Sequence, residues 1–181
     1  PVLAATLWFV VCLGYVLLAG MGTFWAIVWP EGQAVRRLRG LAIAGLALIS
    51  LGTVIEALIG IVVGKYPRGE AVTNESGTWL LVRLAALAIA GFFGAELLSH
   101  PIRGARRVVV LALIAVLTVT LAVTSTAMAS SQVVAIAATV GVYLLALAAW
   151  LGSLVAVAAL LVPRNRPGGL DPVWTRFSWL A

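Results

Sequence analysis

Residues 108–162 read VVVLALIAVLTVTLAVTSTAMASSQVVAIAATVGVYLLALAAWLGSLVAVAALLV, without one charged side chain. A helix needs about 20 apolar residues to cross a bilayer core of roughly 30 Å. The stretch divides at Ser130-Ser131-Gln132 into Val108–Ala129 and Val133–Val162, each long enough to span. So short a break predicts a tight antiparallel hairpin of two transmembrane helices. Three more apolar runs precede it. Leu3–Trp29 has no charge, Gly40–Gly64 has only Glu56, and Thr78–Leu98 has Arg83 and Glu96. The chain thus predicts an all-α, polytopic transmembrane bundle in one domain, with spans near 3–29, 40–64, 78–98, 108–129 and 133–162. The chain begins at Pro1 rather than methionine, and residues 173–181 read like the first turns of a further helix, so a longer parent protein is expected.

Composition agrees. Hydrophobic residues make up 63% of the chain and charged residues 10%, against about 25% charged in a soluble domain. Mean hydropathy is +1.14. The net charge of +6 does not point to nucleic acid, because the basic residues flank the spans, where anionic lipid headgroups are their natural contacts. The single cysteine, Cys12, lies inside the first span and cannot make an internal disulfide. No nucleophile–base pair, phosphate-binding glycine loop or carboxylate pair is present, so enzymatic chemistry is not expected.

The gaps between runs set the topology. Arg36, Arg37 and Arg39 lie in the first, Arg103, Arg106 and Arg107 in the third, and Arg164, Arg166 and Arg176 in the tail. These gaps share one side and hold nine of the twelve basic residues. The positive-inside rule places that side in the cytoplasm and the N-terminus outside. The second gap, Lys65–Gly77, balances Lys65 and Arg68 with Glu70 and Glu75 and reads as a turn-rich outer loop.

Helices in lipid associate through close approach at small residues. Gly45, Gly52 and Gly60 share one face of span two, Gly14 and Gly22 one face of span one, and Gly141, Ala148 and Gly152 one face of span five. These faces are the expected seams, in preference to a substrate path. Trp8, Trp25, Trp29, Trp79, Trp174 and Trp179 fall near span ends, as interfacial belts require, while Trp150 lies mid-span.

Charges within a span face a partner or a cavity. Glu56 and Arg83 lie on consecutive spans joined at the outer side, at depths of about 12 Å and 7.5 Å counted from the outer gap. Arginine can reach across that difference, so an intramembrane Glu56–Arg83 ion pair is expected, either fixing helix register or serving an ion or proton path. Glu96 and His100 are four residues apart and stack if the third helix continues so far; a solvated interface histidine is the simpler reading of His100. The hydroxyls of Thr118, Thr120, Thr124, Ser125 and Thr126 are expected to bond backbone carbonyls within span four rather than line a polar path.

Tyr143-Leu-Leu-Ala-Leu-Ala-Ala-Trp150-Leu-Gly152-Ser153-Leu154, followed by Arg176-Phe177-Ser178-Trp179-Leu180-Ala181, resembles the CopD family of bacterial copper-handling membrane proteins, including CopC–CopD fusions. The family shows His-Leu-Leu-Ala-Ala, then Trp-Leu-Gly-Gly-Leu, then Arg-Phe-Ser-x-x-Ala opening its next helix. Span one with Arg36-Arg37-Leu38-Arg39, and Trp79-Leu80-Leu81-Val82-Arg83, are similar to its opening helix, first cytoplasmic loop and third span. The resemblance implies a plasma-membrane protein for copper transport or copper resistance. Tyr143 stands where the family has a histidine, and Met128 stands in place of the histidine of its Gly-His-Ala element. Met128, Met21 and Cys12 are then the soft donors available to Cu(I), although methionine also fills gaps in packed helices. The alternative is a metal-free structural or accessory subunit that packs against other membrane proteins. A haem protein needs two axial ligands within the membrane, which one edge histidine does not supply.

Overall fold

A computed structural model describes residues 2–29, 35–62, 75–97, 104–126 and 133–161, with side chains over 5–29, 35–62, 77–94, 104–124 and 134–159. Among them are five helices: α1 (Val2–Thr23), α2 (Arg36–Val62), α3 (Glu75–Leu97), α4 (Ala105–Thr126) and α5 (Val133–Leu161). Each carries a window long and apolar enough to cross a membrane. The surface argues for lipid too: Val62, Phe92, Val134 and Val142 are exposed apolar side chains that water would penalise. The chain is a multi-pass membrane bundle.

Three helices begin earlier than hydropathy alone predicts. Arg36, Arg37 and Arg39 belong to the first turn of α2 rather than to a loop, α4 already contains Arg106 and Arg107, and α3 starts at Glu75. A helix satisfies its own backbone in any solvent, whereas the apolar run ends where the solvent changes. Long arginine stems also let the charged heads reach the interface without breaking the helix. The break between α4 and α5, and residues 162–181 with the expected further helix, lie outside the described residues.

α1 is the hub, packing most extensively on α2 and then on α5. Its seam with α2 is antiparallel and made by glycine. A Cβ added to Gly14 would stand 2.6 Å from Ile49 N and 2.9 Å from Gly45 O, and one on Gly45 would stand 2.7 Å from Leu18 N. Gly52 takes Val11 in the same way. The seam with α5 is closer still: a Cβ on Gly20 would stand 2.5 Å from Gly152 Cα and 2.6 Å from Ala148 O. Gly22 meets Ile114 of α4, and Gly141 faces Thr118 and Ala122. Gly14, Gly22, Gly45, Gly52, Gly141 and Gly152, expected at seams from their spacing, therefore lie at helix crossings, and Gly20 joins them. Gly20 lies six residues after Gly14 and so off its face, which a spacing of seven or eight does not reveal.

One local feature was not expected. α1 ends in a π turn over Phe24–Val28, closed by Trp29 N–H donating to Phe24 O at 3.0 Å. Just before it, Thr23 Oγ1 donates to the carbonyls of Ala19 and Gly20, both at 2.9 Å. Such back-bonding perturbs the following turn. Trp25 is only 3% exposed and packs with Met21, Phe24, Val28, Leu38 and Ala156. The expectation that Trp25 belongs to an interfacial belt is corrected: the extra residue in the turn accompanies an indole buried inside the bundle.

Candidate functional site: a buried arginine shared by three helices

Arg83 lies eight residues into α3 and Glu56 six residues from the end of α2, so they stand about 12 Å and 9 Å from the ends that meet on that side. Arg83 Nη1 donates to Glu56 Oε2 at 3.0 Å. The two expected partners are together. The arginine is 1% exposed and the glutamate 33%, so the cation is enclosed while its counter-ion opens onto the bundle surface.

The pairing has a third member that the sequence did not disclose. Arg83 Nη2 donates to the Thr120 carbonyl at 3.2 Å and to Thr124 Oγ1, both on α4. Thr124 Oγ1 in turn donates to the same Thr120 carbonyl at 2.8 Å. One guanidinium thus ties α2, α3 and α4 together. The signal available was the run of hydroxyls in span four, whose role was assigned only to its own backbone. That assignment holds for Thr118, which donates to Ile114 O at 2.7 Å, and for Thr120, which donates to Leu117 O at 2.9 Å. Ser125 and Thr126 side chains lie outside the described residues.

A second polar contact reaches the hub helix. Tyr15 OH and Thr118 Oγ1 are 2.6 Å apart and both buried. The Thr118 proton is committed to Ile114 O, so Tyr15 is the donor. Thr53 Oγ1 likewise back-bonds to Ile49 O at 2.7 Å. These groups close on one another, as buried polar groups in lipid must.

Two of the three soft donors, Cys12 and Met21, are not gathered in this way. Cys12 is half-buried on α1, and Met21 is fully buried among Phe24, Trp25 and Leu38. They sit nine residues apart on one helix, about 13.5 Å along its axis, so they do not share one ion. Met128 and His100 lie outside the described residues, as does the side chain of Glu96. Of the family-motif positions, Gly152 is locked against Gly20, while Tyr143 is 64% exposed and Trp150 is 55% exposed on the outer face of α5. Arg176, Phe177 and Ser178 lie outside the described residues. Among the described residues no three His, Cys, Asp or Glu side chains cluster. Comparison with known proteins found no family model, curated protein or solved structure that matches this chain.

Proposed function

We propose that this chain is a CopD-like integral membrane protein of a bacterial-type plasma membrane, acting in copper transport or copper resistance. Its N-terminus lies outside, and residues 30–39, 99–107 and the tail after 162 lie in the cytoplasm. The Trp150-Leu-Gly152-Ser153-Leu154 motif carries this reading: it resembles the family's Trp-Leu-Gly-Gly-Leu at every position but Ser153, and its glycine occupies the close crossing of α5 on α1. The asymmetric arginines support the orientation. Met128 is the donor in place of a family histidine, and a thioether suits Cu(I). The Glu56–Arg83–Thr124 cluster serves as the clamp that fixes three helices in register.

A second reading has its own observation. Cys12 and Met21 are far apart on one helix, and the Tyr143 ring projects from the bundle instead of into it. A chain of this kind works as a metal-free structural or accessory subunit whose outer faces meet lipid and other membrane proteins. Copper content of the purified protein separates the two. Stoichiometric copper that is lost on Met128→Leu supports copper handling. A metal-free protein that co-purifies with fixed membrane partners supports the accessory reading and removes the first.

A further inference from the structure

α5 packs mainly on α1 and α4, and it is the least buried of the five spans. Leu144, Ala148 and Gly152 turn inward. The opposite face carries Ile136, Thr139, Tyr143, Ala146 and Trp150, all exposed. Their spacings run three, four, three, four. That is the register in which two helices wound left-handedly interdigitate their side chains.

This face differs from the exposed face of α3. Phe92 and Phe93 there offer nothing polar, and acyl chains cover them without loss. On α5 the apolar span Val134–Ala159 has its centre between residues 146 and 147. Tyr143 stands about 5 Å from that centre and Thr139 about 11 Å from it, both inside the hydrocarbon. Among the described residues the Tyr143 hydroxyl has no hydrogen-bond partner. A hydroxyl held in hydrocarbon without an acceptor is costly, and lipid tails supply none. Thr139 is its complement. The Thr139 proton goes to the Ala135 carbonyl at 2.9 Å, so its oxygen keeps a lone pair for an incoming donor. Helical side chains lean toward the helix start. The Tyr143 hydroxyl therefore stands at the level of Thr139 on a parallel neighbouring helix. A face that carries a donor and its acceptor at one level complements itself, as a two-fold interface requires.

We propose that the outward face of α5 is a dimer interface, and that its occupant is a second copy of this chain. The two helices pair through Ile136, Thr139, Tyr143, Ala146 and Trp150 about a two-fold axis along the membrane normal. Tyr143 Oη donates to Thr139 Oγ1 of the partner subunit, and symmetry supplies the reciprocal bond. Ala146 is small enough to let the backbones approach. The axis leaves both copies in one orientation, as a single arginine-bearing leaflet demands. The pairing holds whether or not the chain handles copper.

The test follows Förster transfer between donor- and acceptor-labelled copies of the whole chain in phosphatidylcholine liposomes as lipid is added. Transfer is expected to fall along the dilution curve of a dimer. Tyr143→Phe and Thr139→Val each weaken the dimer about eightfold, the worth of two interhelical hydrogen bonds. The double variant loses about the same eightfold and not the product, because both changes remove the same bonds. Phe92→Leu on α3 leaves the dimer unchanged. In a Cys12→Ser background, mild oxidation of Ala146→Cys joins copy to copy. A chain that stays monomeric at every dilution overturns the proposal. So does a dimer indifferent to both Tyr143→Phe and Thr139→Val, a loss in the double variant equal to the product of the two, or cross-linking of Ala146→Cys to a different membrane protein.

Discussion

Two regions of this bundle hold helices together by opposite means. Where α1 crosses α2 and α5, backbone meets backbone at Gly14–Gly45 and Gly20–Gly152. Where α3 meets α2 and α4, a guanidinium reaches a carboxylate, a carbonyl and a hydroxyl. Both solve the same problem. Lipid gives no reward for hiding leucine, so helices adhere only through dense packing or hydrogen bonds. The glycine seams are matters of shape and tolerate no added atom. The arginine clamp has several partners and can lose one. The region held by shape surrounds the hub helix; the region held by charge lies where α3 joins α2 and α4.

That contrast can be broken most severely at the clamp. Arg83→Met removes every guanidinium bond and strands Glu56, and should cost about 3–5 kcal/mol in denaturant unfolding followed in micelles. If α3 owes its place to packing instead, the loss will be under 1 kcal/mol. Gly20→Val comes next. The atoms it would strike are backbone of α5, which cannot swing aside, so about 3 kcal/mol is expected, with α1 and α5 separating in cross-linking experiments. A wild-type unfolding midpoint for this variant would show that the crossing is not as close as described.

Glu56→Gln sharpens the comparison rather than breaking it. The amide oxygen still accepts from Arg83, and the Thr120 and Thr124 bonds remain, so about 1.5 kcal/mol should be lost. Unchanged proton and ion flux in reconstituted vesicles accompanies a purely structural clamp; abolished flux with retained stability assigns Glu56 to a conducting path. Smallest of all is Tyr15→Phe. A double-mutant cycle with Thr118→Val should give about 0.6 kcal/mol of coupling, the usual worth of one interhelical hydrogen bond in a membrane. A coupling of zero would place the Tyr15 hydroxyl elsewhere.

The sequence was most informative where one dimension suffices. Five runs of adequate length, with charge confined mainly to the gaps, were enough to give five helices, because every backbone group in lipid must bond within its own helix. Gly14 with Gly22, and Gly45 with Gly52, also identified true seams, since residues at intervals of seven or eight return close to the same face. Glu56 and Arg83 were legible as a pair for a related reason: two lone charges on adjacent spans at similar depth have few other ways to be satisfied.

Rotation about a helix axis and contact between non-adjacent helices are three-dimensional, and there the sequence was silent. Nothing in the text of span four marks Thr124 rather than Thr126 as the group that meets Arg83. Trp25 read as an interfacial anchor and lies instead against the core, beside a π turn that periodicity does not encode. Cys12, Met21 and Met128 looked like one donor set in composition, yet Cys12 and Met21 lie far apart along the axis of α1. Number, length and material of the helices followed from hydropathy, which each segment carries by itself. Which faces touch, which polar groups meet and where space is left came only with tertiary structure, because in lipid those choices rest on atomic fit between segments and not on any property of one segment alone.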